Sequence, residues 1–355
     1  MSKINFSSGP AMLPQSVLEE LSRAVLNYQN SGLSILEISH RSDAFVEILE
    51  GARSLVRELY QLTEDYEVLF LTGGASMQFC QVPYNLLNTN GLATYLDTGT
   101  WSAKAIKEAQ LFGRTKIVAS SKDKNYSYVP DFKSYGSQVG KDSTYFHITT
   151  NNTVYGTQIH DLPAVDCPLV ADMSSDIFSK PLSIEKFGLI YAGAQKNMGP
   201  AGTTLVIVRK DLLGKVERDL PTMLDYRTHI NKKSAFNTPP VYAIYACYLT
   251  LQWIKNKTLV QIAKDNQQKA NLLYNEIDRN PLFEGTVNKS DRSLMNVTFR
   301  LKEERLTDIF LQKAAEAGCV ALKGYRTVGG CRASIYNAMP LEGVERLVEV
   351  MVGFG

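Results

Sequence analysis

Cysteine is scarce in this chain, and what there is does not pair. Five cysteines stand at positions 80, 167, 247, 319 and 331 of 355 residues. Their number is odd, no two form a CxxC, and the four histidines are scattered. This argues against a disulfide framework or a zinc site and fits a reducing, cytoplasmic setting. Long apolar runs are missing too. The most apolar stretch, 241–254, is interrupted by Thr250 and Gln252. It falls short of the roughly 20 residues a membrane helix needs. The opening MSKINFSSGPAMLP has no apolar core of a secretory signal. An excess of one charge is also lacking: 38 Lys and Arg stand against 36 Asp and Glu. That gives no case for nucleic acid or an anionic membrane as partner, so any anion binding must be local. There is no internal repeat and no low-complexity tract. No GxGxxG and no Walker loop occurs, which leaves out the usual dinucleotide and nucleoside-triphosphate turns.

What is present is an alternation of short apolar runs and amphipathic stretches. A chain of this length predicts two domains. Val17, Leu18, Leu21, Val25 and Tyr28 mark one helix, which ends near 30–32. Phe45, Ile48, Leu49, Ala52, Leu55, Val56 and Leu59 mark another, capped by Ser42 or Asp43. Strands are expected at 66–71, 92–96, 117–120, 145–149, 169–171, 189–194 and 203–208. Pro83 should kink or end the helix after the first of these. The stretches 121–141 and 225–240 are polar and read as exposed excursions. The second of them is a candidate interface. A helix from Val241 then leads to a small α+β region. Strand followed by helix, repeated, argues for a mostly parallel α/β sheet covered by helices. Ligands of such sheets bind outside the carboxyl ends of the strands.

Five groups fall at those ends. Gly73-Gly74-Ala75-Ser76 is a small-residue turn that either cradles a phosphate on free backbone N–H groups or holds nothing. Trp101 is either core filler or the cover of a flat ring. Thr153 and Asp172 each follow a strand. Lys196 stands where a buried strand meets a tight Gly/Pro segment. It is either a solvated hairpin lysine or an amine that burial keeps neutral, as Schiff-base chemistry requires. Arg326 and Arg332, beside Gly324, Gly329 and Gly330, are surface arginines or a carboxylate and phosphate fork. Five coincidences at one sheet edge favour a shared site.

A phosphate turn, an aromatic plate, a carboxylate and a strand-end lysine make the parts list of a pyridoxal phosphate site. The chain closely resembles the phosphoserine aminotransferases, fold-type I members of the class V aminotransferase group. The likeness spans essentially its whole length. It is carried by Phe6-Ser7-Ser8-Gly9-Pro10-Ala11, Ser39-His40-Arg41-Ser42, Asp97-Thr98-Gly99-Thr100-Trp101-Ser102 and Ala171-Asp172-Met173-Ser174-Ser175-Asp176. It continues in Ala192-Gly193-Ala194-Gln195-Lys196-Asn197, Phe236-Asn237-Thr238-Pro239-Pro240 and 329–338, GGCRASIYNA.

That resemblance implies a large domain over 16–255 with a seven-stranded, mostly parallel sheet. It implies a smaller C-terminal α+β domain over 256–355 and an N-terminal segment, 1–15, near the active site. It implies pyridoxal 5'-phosphate, one per subunit, held as a Schiff base on Lys196. Asp172 would pair with the ring nitrogen, Trp101 would stack on the ring, and Thr153 would bond its hydroxyl. Ala75, Ser76 and Gln195 would hold the phosphate. Asn237 and Thr238 would reach the neighbouring subunit's phosphate, which makes the protein a homodimer. Arg332 would bind the substrate α-carboxylate, and His40, Arg41 and Arg326 the distal anion. The implied reaction transfers an amino group from L-glutamate to 3-phosphohydroxypyruvate, in serine biosynthesis. A side activity on a phosphorylated hydroxythreonine in vitamin B6 synthesis also follows from the family. Two departures stand out. Some members carry arginine where this chain has Ser76, and some carry histidine where it has Tyr325. Phosphate binding must then rest more on dipoles and hydroxyls. An alanine–glyoxylate transaminase would not need His40 and Arg41. A cysteine desulfurase would need a mobile cysteine, and Cys331 sits in an expected strand. The intact set Lys196, Asp172 and Arg332 argues against a non-catalytic homologue.

Overall fold

The period-2 and period-3.6 patterns become a three-layered body with a second core beside it. The computed structural model describes residues 3–326 and 328–354. Its strands are β1 (Ile4–Asn5), β2 (Tyr66–Leu71), β3 (Leu92–Asp97), β4 (Arg114–Ser120), β5 (Ser143–Thr149), β6 (Leu169–Asp172), β7 (Phe187–Gly193), β8 (Thr204–Arg209), β9 (Phe283–Gly285), β10 (Asn296–Leu301), β11 (Cys319–Val320) and β12 (Cys331–Ser334). Its helices are α1 (Gln15–Leu26), α2 (Asp43–Leu59), α3 (Gly74–Leu86), α4 (Thr100–Ala109), α5 (Phe132–Tyr135), α6 (Tyr226–Asn231), α7 (Val241–Lys257), α8 (Leu259–Arg279), α9 (Thr307–Glu316) and α10 (Leu341–Val352).

Seven strands form the central sheet in the order β2-β8-β7-β6-β5-β3-β4. Strand β8 runs antiparallel to β2 and β7, and the remaining neighbours pair in parallel. The carboxyl ends of β2 to β7 therefore share one edge. Every residue of β7 is buried, as expected of a strand covered on both faces. Alternate residues go to opposite sides. Ile190 and Ala192 join the core beneath α2 and α7, while Leu189 and Tyr191 join the core under α3 and α4.

The second core surrounds the antiparallel sheet β12-β10-β9 and helices α8, α9 and α10. Helix α8 belongs to both bodies: Leu259 and Ile262 pack in the first core, Ala270, Leu273 and Ile277 in the second. The N-terminal strand β1 pairs with β11, and Phe6 is buried in the second core. The chain thus starts against the small body and then passes the edge of the large one.

Four local expectations needed correction. The stretch 225–240 is not all loop. Asp225 caps α6, and Tyr226 and His229 are buried, so a six-residue helix with only two inward side chains escaped a periodicity reading. The stretch 121–141 contains α5 and buries Tyr126, Tyr135 and Val139, which fold back on the sheet edge. Pro83 lies inside α3, which continues to Leu86. Helix α1 stops at Leu26, ahead of 30–32, and a short 3₁₀ turn follows.

Candidate active site

Lys196 comes first because the local fold leaves it little freedom. Strand β7 ends at Gly193, whose N–H donates to Ser174 Oγ at 3.1 Å. The chain then turns tightly: the Lys196 N–H donates to the Ala194 carbonyl at 2.7 Å. Lys196 is 8 % exposed, and its Nζ donates to Thr153 Oγ1 at 2.7 Å. Burial lowers its pKa to about 8, with the nearby Arg332 charge adding to the shift and Asp172 opposing it. An appreciable fraction of the amine is therefore neutral close to physiological pH.

Asp172 is the last residue of β6 and only 4 % exposed. Burial raises its pKa, while Ser174, whose N–H donates to Oδ1 at 2.9 Å, and Lys196 favour the charge. Trp101 stands in the first turn of α4, after β3. The loop that carries it is tied down through Asp97, which accepts from Ser102 Oγ, Ser120 Oγ and the Tyr126 hydroxyl. Its ring centroid lies 6.0 Å from Lys196 Nζ. The turn between β2 and α3 uses Gly73 and Gly74 at φ of 93° and 67°, left-handed values that other side chains resist. The first N–H groups of the 13-residue α3 have no partner inside the helix and point outward.

These groups close on one cavity of about 260 Å³ at the carboxyl edge of the sheet. Ala75, Ser76, Trp101, Thr153, Asp172, Gln195, Lys196 and Arg332 all line it. Arg332 comes from β12 of the second body. It donates to the Thr153 carbonyl at 3.3 Å and to Ser8 Oγ at 2.8 Å. Tyr336 OH donates to the Ser8 carbonyl at 2.9 Å, so the N-terminal segment is clamped over the cavity rim. The whole chain is similar to known proteins. The family described as Aminotransferase class-V matches residues 4–347. The chain belongs to that family.

Among its relatives, the phosphoserine aminotransferase of Flavobacterium psychrophilum is 57% identical, over 99% of this chain and 98% of that one. A solved phosphoserine aminotransferase, studied for radiation damage to its Schiff base, is 49% identical. It superposes with a TM-score of 0.96 over 100% of this chain and 99% of that one. The pyridoxal phosphate-bound enzyme from Trichomonas vaginalis is 37% identical, with a TM-score of 0.94 over 99% of both chains.

The cavity fits pyridoxal phosphate on its own chemistry. It offers a partly neutral amine, a buried carboxylate, a flat indole and a helix N-terminus. Three buried polar atoms beside it, Trp101 Nε1, Thr149 Oγ1 and Arg332 Nε, have no hydrogen-bond partner in the protein and so suit a polar ligand.

The other expected residues lie elsewhere. His40 and Arg41 sit in the loop between α1 and α2, half-buried and exposed respectively, and neither lines the cavity. Arg326 is exposed, although its neighbour Tyr325 lines the cavity. Asn237 lines a separate hollow with Thr72 and Met77, and Thr238 is exposed beside it. Sequence reasoning assigned no role to Ser8, Gly9, Thr149, Asn151 and Ser174, all of which line the cavity. Gly9 had a signal in its Ser-Ser-Gly-Pro context: at φ of 139° its Cα lies so close that an added Cβ would stand 3.3 Å from Gln195 Cγ. Thr149 and Asn151 carried the same signal as Thr153, since they close and follow the strand expected at 145–149.

Proposed function

We propose that this chain transfers an amino group from L-glutamate to 3-phosphohydroxypyruvate, giving O-phospho-L-serine and 2-oxoglutarate. The observation that carries the reading is the meeting of Lys196, Asp172 and Arg332 on one cavity, in a chain alike over its full length to enzymes named for this reaction. Pyridoxal phosphate, when bound, supplies an aldehyde that takes up amino groups and a protonated ring that draws electrons from the bonded carbon. Lys196 would hold its aldehyde, Asp172 its ring nitrogen, Trp101 its face and Thr153 its hydroxyl. Ala75, Ser76 and Gln195 would hold its phosphate.

The residues divide the remaining work. The Lys196 amine, partly neutral, takes the proton from the substrate Cα. Asp172 would present its carboxylate to the ring nitrogen at the inner end of the site, with the Ser174 N–H and Lys196 favouring the charge against the burial that opposes it. Arg332 receives the substrate α-carboxylate in its fork. The N-terminal segment, held by Arg332 and Tyr336, narrows the mouth and limits water.

The distal anion needs cations that one chain does not bring to its own cavity. His40, Arg41, Asn237 and Thr238 all lie off the lining of that cavity, and exposed Phe236, Met77 and Met223 lie near the last two. A homodimer explains this placement: Asn237 and Thr238 complete the neighbour's phosphate site, and Arg41 and His40 meet the distal anion together with Arg326. The setting is cytoplasmic, and the phosphorylated hydroxythreonine of vitamin B6 synthesis is a second substrate. No described helix is long and apolar enough to cross a membrane.

The purified protein should show a visible absorption band that glutamate bleaches and 3-phosphohydroxypyruvate restores. Bleaching without restoration would reject the substrate and keep the reaction class. Mixing an inactive Lys196→Ala form with an inactive Asn237→Ala, Thr238→Ala form should recover part of the activity. No recovery from a mixed dimer would reject the shared site.

A further inference from the structure

A cavity larger than the lysine pocket lies next to it. It is a cleft of about 590 Å³. Val154, Tyr325 and Arg332 line both, so the cleft opens onto the pocket at the arginine expected to receive the substrate carboxylate. One wall comes from the turn after β4, with Lys122 and Lys124. The other comes from β10 and the glycine-rich loop before β12, with Arg300, Gly324 and Gly329.

The charged lining is Lys122, Lys124, Arg300 and Arg332, with no Asp or Glu. In a chain of 38 basic and 36 acidic side chains, a cleft with cations alone departs from the average surface. Arg300 is partly answered by Glu284, its ion-pair partner. The lysines in ion pairs are Lys141, Lys233, Lys255, Lys257 and Lys289, so among the described residues Lys122 and Lys124 have no carboxylate partner, and Lys124 Nζ lies 5.7 Å from the centroid of the Tyr128 ring. Asp123 lies between them in sequence, but its carboxylate accepts from Tyr128 OH at 2.9 Å and does not line the cleft. The floor is firm: Tyr126 and Tyr155 pack with ring centroids 4.8 Å apart, and Tyr126 is held by Asp97.

We propose that this cleft is an antechamber for the phosphorylated keto acid, in which Lys122 and Lys124 capture its phosphate before the molecule passes Arg332 into the pocket. The proposal rests on the substrate reading above and adds a site to it. The discrimination is by charge. A phosphate monoester carrying two charges, with a carboxylate besides, is drawn more strongly than glutamate, which has a net charge of one. Cations lining a walled cleft raise the local concentration of an anion and its rate of entry, and salt screens the effect over roughly 10 Å. The lysines touch no reacting atom, so they act on capture and not on the chemical step.

The test is the cofactor-loaded enzyme against the double variant Lys122→Gln, Lys124→Gln. At low salt, kcat/KM for 3-phosphohydroxypyruvate should fall about three- to tenfold. It should fall less than about twofold for glutamate, with kcat unchanged and the gap closing near roughly 0.5 M salt. An unchanged kcat/KM, an equal loss for both substrates, a lowered kcat or a loss that survives high salt would each overturn the antechamber. A second readout is independent of turnover. Inorganic phosphate, titrated by calorimetry into the loaded enzyme, should bind more weakly to the double variant, and equal binding would reject the cleft. If the wild-type enzyme does not convert the phosphorylated keto acid, the substrate reading fails, and the phosphate titration still decides whether the cleft holds the anion.

Discussion

Replacing Asp172 by Asn separates charge from shape at the centre of the site. The side chain is buried at the end of β6, and its Oδ1 accepts the Ser174 N–H. Asparagine keeps that acceptor and the volume and removes only the charge. Truncating one partner of a buried, hydrogen-bonded charge pair costs about 2–5 kcal/mol. Taking about 3 kcal/mol, at about 1.4 kcal/mol per decade, kcat should fall on the order of a hundredfold. Stability should move the other way. Burial raises the Asp172 pKa, so the folded state holds the proton more tightly than the unfolded one. The ionised carboxylate therefore costs stability above the raised pKa, and that cost vanishes below the unfolded value near roughly 4. At neutral pH the variant, measured without cofactor to exclude ligand linkage, should melt at the same temperature as wild type or higher. Transamination kinetics and a thermal melt are the two assays. A variant within about threefold of wild-type kcat would refute the role of the charge. A slow variant with a lowered melting temperature would trace the loss to misfolding.

Three further outcomes follow from the same geometry. On the proposed role of Lys196 as a base that acts when neutral, and with its pKa lowered to about 8, the proton-abstraction rate of the free amine should rise as pH passes through that value; a rate flat from pH 7 to roughly 9 would contradict this. Arg332→Gln should raise KM for both substrates at least about tenfold, since a bidentate charged fork becomes a neutral amide, and steady-state kinetics with each substrate in turn checks it. Lys269 is 2 % exposed, and its Nζ donates to the carbonyls of Ile335, Tyr336 and Met339 at 3.0, 2.7 and 3.1 Å. Lys269→Met should cost about 3 kcal/mol by stranding those acceptors; urea unfolding reads the loss, and a change below about 0.5 kcal/mol would show that water replaces the amine.

The strand-end groups were legible because a parallel sheet dictates where its carboxyl edge lies. Once β2, β3, β5, β6 and β7 are recognised from their apolar runs, Ala75, Trp101, Thr153, Asp172 and Lys196 must gather at that edge, wherever each strand sits in the order. Long amphipathic helices such as α2 were equally plain, with Ser42 accepting the Phe45 N–H at the cap. Short elements were not. Helix α6 has too few turns for a period, and its inward face is fixed by a contact distant in sequence, Tyr226 OH to Gln78 Oε1 at 2.6 Å.

By itself, then, the amino-acid sequence determined the α/β class and, through its ordered motifs, the family, and it pointed to Ala75, Trp101, Thr153, Asp172 and Lys196 at one sheet edge. These rest on local periodicity and on residue identity, both properties of a linear chain. The tertiary structure alone decided which distant residues join the strand-end groups on one cavity. It placed Arg332 against Lys196 by folding β12 back across 136 residues of sequence, clamped Ser8 over the rim, and opened the cationic cleft alongside. It also left His40, Arg41, Asn237 and Thr238 off the lining of their own chain's cavity. Such long-range placements depend on how two cores pack against each other, and no periodicity along the chain encodes them.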